Sequence, residues 1–104
     1  MSTKESGTNK NLDIINYSYL SLGSNIGKRK RNLNKSILYI KSKIGKIYKS
    51  SKIYESEPWG FKKQNYFLNQ IILVGTKLNP LELLNKCKEI EKKMGRKINI
   101  KWRV

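Results

Sequence analysis

The apolar residues of this chain change their period repeatedly, and the order of those changes limits the fold more than any other feature. Tyr17–Leu22 alternates as a strand does, with Tyr17, Tyr19 and Ser21 facing one way and Ser18, Leu20 and Leu22 the other. From Arg29 to Ile44 the spacing becomes helical: Leu33, Ile37, Ile40 and Ile44 recur with Lys and Asn opposite them. Ile47–Tyr54 and Phe67–Thr76 read as two further strands. Asn79-Pro80-Leu81-Glu82 then starts a second helix. Asn can cap it, Pro suits the first helical position, and Glu three residues on can return a hydrogen bond to the cap. Leu83, Leu84, Cys87, Ile90 and Met94 supply its buried stripe. Gly45 and Gly95 stand where left-handed residues end the two helices. Residues 96 to 104 carry mixed signals and are given no element. The order strand, helix, strand, strand, helix predicts an α+β domain of ferredoxin-like β-α-β-β-α pattern with its fourth strand missing.

A chain of 104 residues holds one domain. Met1 to Asn16, rich in Ser, Thr, Asn and Lys, reads as a disordered extension, so residues 17–104 form the domain, although Leu12, Ile14 and Ile15 could lengthen the first strand. The formal charge is +16, from 23 Lys and Arg against 7 Asp and Glu, which favours polyanionic partners. Those cations are nearly all Lys, spread evenly among many Asn and Ile, so a nucleic-acid partner is not predicted. With one cysteine there is no internal disulfide, and without histidine no zinc set; Cys87 falls in the core stripe. The longest later apolar run, Ile71–Val74, cannot span a bilayer and the N-terminus has no signal-type apolar stretch. No membrane partner is expected, and the chain is assigned to the cytoplasm.

Chemistry concentrates in Ser51–Asn69, which leaves one strand, passes Glu55-Ser56-Glu57-Pro58-Trp59-Gly60, and returns as another. Pro58 fixes its own φ and biases Glu57 towards an extended conformation, while Trp59 and Phe61 make the connection sticky. Such a connection is either a binding loop or an aromatic lid over the domain's own core. Glu55 and Glu57 could share a face, but carboxylates two apart on an extended segment are commonly just solvated, and no metal site is assigned. No nucleophile has a base beside it. Gly23-Ser24-Asn25 could offer backbone N–H groups to phosphate, or serve as a simple strand-to-helix turn. Phe67 and Asn69 share one face of their strand. An aromatic plane beside a carboxamide suits a flat heterocycle, and a core Phe with a strand-end Asn fits the same pattern.

In order and spacing, five stretches resemble the hydroxymethyl-dihydropterin pyrophosphokinases. They are Tyr19-Leu20-Ser21-Leu22-Gly23-Ser24-Asn25-Ile26-Gly27, Tyr54-Glu55-Ser56-Glu57-Pro58-Trp59-Gly60, Phe67-Leu68-Asn69-Gln70, Ile90-Glu91-Lys92-Lys93-Met94-Gly95-Arg96 and Lys101-Trp102. The resemblance runs from about Tyr17 to Trp102. It implies an enzyme of folate biosynthesis that moves pyrophosphate from ATP to 6-hydroxymethyl-dihydropterin, giving AMP and the pterin diphosphate. It further implies that Phe67 stacks on the pterin and Asn69 bonds its amide edge, with Ser56, Pro58, Trp59 and Gly60 as the pterin-side loop. Glu91, Arg96, Lys101 and Trp102 match the ATP side, Arg96 and Lys101 being the candidate catalytic cations, and Gly23 and Asn25 flank the site. Glu57 stands where the family often has proline, and Ile98 where a second loop arginine is expected.

The resemblance also implies that, after the tryptophan, a strand with an Asp-x-Asp pair holds two magnesium ions (Mg2+); here the chain reads Arg103-Val104. The expectation is a C-terminally truncated member with no metal ligands of its own, inactive alone. The first strand would then keep an open edge inviting self-association. Two other readings stand beside this one. A basic RNA-binding module of the same topology would need a third-strand aromatic pattern that Phe67–Ile72 lacks. The last is a degenerate fragment without function.

Overall fold

The computed structural model describes residues 14–58 and 65–103. The elements are β1 (Asn16–Ser24), α1 (Arg29–Lys43), β2 (Gly45–Ser50), β3 (Tyr54–Ser56), β4 (Phe67–Thr76), α2 (Pro80–Lys93) and β5 (Asn99–Arg103). All strand pairings are antiparallel. The sheet order is β2-β4-β1-β5, with β3 pairing farther along β4. A central first strand between the third long strand and the last is the ferredoxin-like arrangement.

One expectation is corrected here. The fourth strand is present: Asn99–Arg103 pairs with Tyr19–Gly23 of β1. Its signal is a short alternation, Ile98 and Ile100 buried, Asn99 and Lys101 exposed. That run is too brief to read as a strand until the unpaired N–H and C=O groups of β1 supply a partner. Over Tyr19–Gly23, β1 is therefore bonded on both sides, and the open edge proposed for self-association is not there.

Both helices cover one sheet face. Leu20 and Leu22 of β1 and Ile72 and Val74 of β4 meet Leu33 and Ile40 of α1 and Leu83, Cys87 and Ile90 of α2, joined by Ile98 and Ile100. Each large apolar side chain buried there contributes roughly 1.5–3 kcal/mol, which holds helices that would be marginal alone. The start of α2 is as the sequence implies. Glu82 N–H donates to Asn79 Oδ1 and Asn79 N–H donates to Glu82 Oε1, each at 2.9 Å, with Pro80 at the first position.

The two helix ends differ. Gly95 has φ +65° and follows Met94 as a left-handed terminator, as expected. Gly45 does not: it is the first residue of β2, without positive φ. Its lack of a side chain serves close packing, because a Cβ there would overlap the Gly75 carbonyl oxygen on β4 and lie 3.0 Å from its carbon. Thr76 closes the same corner by donating its hydroxyl to the Ile44 carbonyl at 2.6 Å. The second strand also breaks in two, since residues 51–53 leave the ladder between β2 and β3. Within the first, the register shifts between Ile47 and Lys49.

Cys87 is 2% exposed, and burial together with the nearby Glu91 carboxylate pushes its thiol up to about 11. At pH 8 the thiolate is therefore scarce in the folded chain. Labelling of Cys87 by iodoacetamide at that pH is expected to run at least tenfold slower in native protein than in urea, as read by mass spectrometry. Among the described residues no helix is long and apolar enough to cross a membrane.

Candidate functional site

On β1 and β4 the side chains that do not enter the core point to the face away from the helices. Where β1, β3, β4 and β5 converge, that face is hollowed into a cleft of about 510 Å³. Its lining is contributed strand by strand: Ser21, Leu22 and Gly23 from β1, Tyr54 and Ser56 from β3, Phe67 and Asn69 from β4, Asn99 and Lys101 from β5, with Glu57 at the rim. The pairing explains the grouping. Gly23 is the partner of Asn69 on one side and of Asn99 on the other, and Ser56 is the partner of Phe67. Gly23 forms the floor. A Cβ on it would lie 3.1 Å from Asn69 Oδ1 and 3.5 Å from Phe67 Cδ1, so the aromatic ring and the amide oxygen both lean over a residue with no side chain.

Asn69 is held in one orientation. Its Nδ2 donates to Ser56 Oγ at 2.9 Å and to the Tyr54 carbonyl at 3.2 Å, which leaves Oδ1 turned towards Gly23 as an acceptor. The same bonds tie β3 to β4 at the point where the connection leaves the sheet. That connection is tied again by Arg29 of α1, whose guanidinium donates to the Tyr66 carbonyl at 2.7 Å and stands 3.6 Å from Glu55 Oε2. Tyr66 reaches Glu57 Oε1 with its hydroxyl at 3.4 Å.

Of the residues singled out from sequence, Ser56, Phe67, Asn69, Gly23 and Lys101 meet in this cleft. Pro58 is half-buried just beyond Glu57. Trp59 and Gly60 lie outside the described residues, as does Phe61. Asn25 sits in the turn between β1 and α1, and Arg96 is exposed in the turn before β5, with φ +63° and its N–H donating to the Glu91 carbonyl at 2.9 Å. Neither lines the cleft. Trp102 pairs across the ladder with Leu20, so it belongs to the helix side of the sheet while Lys101 belongs to the cleft side. Glu91 points inward: its Oε2 accepts the Ile100 N–H at 2.7 Å and so anchors the start of β5 on α2.

Sequence reasoning missed Asn99, Tyr54 and Ser21 as lining residues. Ser21 and Asn99 follow from parity once β5 is known to pair with β1, since alternate residues of paired strands share a face. Tyr54 could have been found, being the partner of Asn69 across the hairpin.

A metal pair of the kind the resemblance implies does not fit these residues. Among the described residues no three His, Cys, Asp or Glu side chains come together, and Glu57 is the one carboxylate on the cleft. What the cleft offers is a half-buried ring, amide donors and acceptors, a hydroxyl and one ammonium group. Those suit a flat, hydrogen-bonding heterocycle with an anion beside it.

A family model described as 7,8-dihydro-6-hydroxymethylpterin-pyrophosphokinase matches residues 19–104. The 2-amino-4-hydroxy-6-hydroxymethyldihydropteridine pyrophosphokinase of Aquifex aeolicus is 45% identical over 84 residues, 81% of this chain and 52% of that protein. The Bacillus subtilis protein of the same name is 38% identical over 88 residues, 84% of this chain and 53% of its own length. The chain thus spans about half the length of these curated relatives. Among solved structures, a triple mutant of Plasmodium falciparum HPPK-DHPS superimposes with a TM-score of 0.73 at 19% identity, covering 89% of this chain and 28% of that one. That likeness bears on the fold alone. Both sequence comparisons favour the pyrophosphokinase resemblance over an RNA-binding module.

Proposed function

The chain belongs to the 7,8-dihydro-6-hydroxymethylpterin-pyrophosphokinase family, and on that premise we propose that its cleft binds the pterin substrate of that family's reaction. The reaction is the transfer of pyrophosphate from ATP to 6-hydroxymethyl-dihydropterin in folate biosynthesis. On this reading the chain works in the cytoplasm on two small molecules. The observation that carries it is the grouping of Phe67, Asn69 and Ser56 over Gly23.

The pterin ring lies on Phe67, and the Oδ1 of Asn69 accepts one hydrogen bond from the N–H donors of its amide edge. Ser56 and Tyr54 matter indirectly, because they occupy Nδ2 and so keep the acceptor aimed at the ligand. Lys101, on the same face, offers a positive charge to phosphate, and Arg96 stands five residues away in the preceding turn. Metal ions in this chemistry neutralise phosphate charge and orient the transferred group. With Glu57 as the single cleft carboxylate among the described residues, these residues supply cations and ring contacts rather than that metal pair.

The test is a pterin titration followed by quenching of the ligand's own fluorescence. Asn69→Ala removes one hydrogen bond to the ring and frees Ser56 to rotate. It is expected to weaken binding about tenfold, the effect of roughly 1.4 kcal/mol. Identical curves for wild type and Asn69→Ala would remove the basis for the assignment.

A further inference from the structure

Among the described residues, a buried polar pair that joins three segments lies outside the cleft. Ser24, at the end of β1, is 1% exposed, and Asn32, in the first turn of α1, is 9% exposed. Asn32 Nδ2 donates to Ser24 Oγ at 3.0 Å and to the Ile26 carbonyl at 2.8 Å. Ser24 donates its own hydroxyl to the Lys97 carbonyl at 2.7 Å, across 73 positions of sequence. One hydroxyl thereby joins the glycine turn after β1, the start of α1 and the turn between α2 and β5.

Besides the burial of Ile98 in the core, that last turn is bonded mainly to the end of α2, with the Gly95 N–H on the Lys92 carbonyl and the Arg96 N–H on the Glu91 carbonyl. The β1–β5 ladder begins at Asn99, so residues 95 to 98 lie outside it. Gly95 and Arg96 are consecutive left-handed residues, and the Lys97 N–H reaches the Met94 carbonyl only at 3.3 Å. A backbone in that conformation keeps its course when something outside the turn holds it. The Ser24 bond to Lys97 does so, between Arg96 on one side and the cleft residues Asn99 and Lys101 on the other.

We infer that Ser24, oriented by Asn32, is a positioning residue that sets where Arg96 and Lys101 stand relative to the cleft, and so governs how the chain holds the phosphates of a nucleoside triphosphate. The inference rests on the pterin and ATP reading above. It predicts a split effect: removing the hydroxyl loosens the phosphate side and leaves the ring side, held by the β1–β4 and β3–β4 ladders around Gly23, as it was.

The experiment compares wild type and Ser24→Ala in two measurements. In the first, amide hydrogen exchange followed by NMR is expected to accelerate at least tenfold at Lys97 and Ile98, with Leu20 and Leu22 unchanged. In the second, calorimetric titration with a non-hydrolysable ATP analogue is expected to give a dissociation constant five- to tenfold weaker, with the pterin constant within twofold of wild type. Unchanged exchange at Lys97 and Ile98 would overturn the anchor. Faster exchange with unchanged nucleotide affinity, or with equal losses for nucleotide and pterin, would overturn the positioning role. Wild type that binds neither ligand would defeat the functional reading, and the inference with it, while the exchange arm still reports on the anchor by itself. If Ser24→Ala does not fold, Ser24→Cys, a near-isosteric residue with a weaker donor, carries the same comparison.

Discussion

Gly45→Ala is expected to destabilise the chain by about 3 kcal/mol, at the upper end of what overpacking costs. The added methyl would overlap the Gly75 carbonyl oxygen and stand 3.1 Å from the Cα of Thr76. Neither atom belongs to a flexible side chain, so the conflict is relieved only by moving β2 away from β4. That movement opens the register pairing Gly45 with Thr76 and Lys46 with Gly75, and strains the Thr76 bond to the end of α1. For a domain of this size the change corresponds to a fall in Tm of about 12–24 °C. Urea unfolding followed by circular dichroism measures it, with Ser42→Ala on the exposed side of α1 as a control expected to change stability by under about 0.5 kcal/mol. A Gly45→Ala protein as stable as wild type would mean that the two strands are not this close.

Gly23→Val is expected to weaken pterin binding at least 100-fold while leaving the fold in place, an effect of about 2.7 kcal/mol on binding. The valine Cβ would sit 3.1 Å from Asn69 Oδ1, and its methyl groups would occupy the space over which Phe67 leans. The strand itself tolerates the change, since a β-branched residue loses less entropy there than glycine. Loss of the ligand with an unchanged melting curve distinguishes a blocked floor from a damaged sheet. Gly23→Val therefore has the larger effect and Asn69→Ala the smaller, because the first removes the room for the ring and the second one of its hydrogen bonds. The reverse order would place the ring elsewhere.

Much of this was legible from residue spacing, and the exceptions have physical causes. The limits of β4 read directly from Phe67–Thr76 because that strand is apolar and bounded by turn residues. The start of α2 read equally well because capping is local chemistry. Gly45 misled because a glycine after a helical stripe has two uses, and only the approach of Gly75 decides between them. The last strand was illegible for a related reason. Asn99–Arg103 has too little pattern to form an element unaided, and its strand character comes from the edge of β1, some 80 positions away. The error carried over to the site. Without β5 on the sheet, Asn99 could not be seen as part of the cleft and Lys101 and Trp102 appeared to act together, whereas the pleat puts them on opposite faces. Phe67 and Asn69 needed no tertiary information, because residues two apart on a strand share a face.

The most direct measurement is a two-dimensional amide NMR spectrum of the 104-residue chain recorded with and without pterin. Shifts concentrated at Gly23, Ser56, Phe67 and Asn69, together with the side-chain amide of Asn69, are the predicted result. Saturable shifts confined to the opposite, helix-covered face, or none at millimolar pterin, would contradict it.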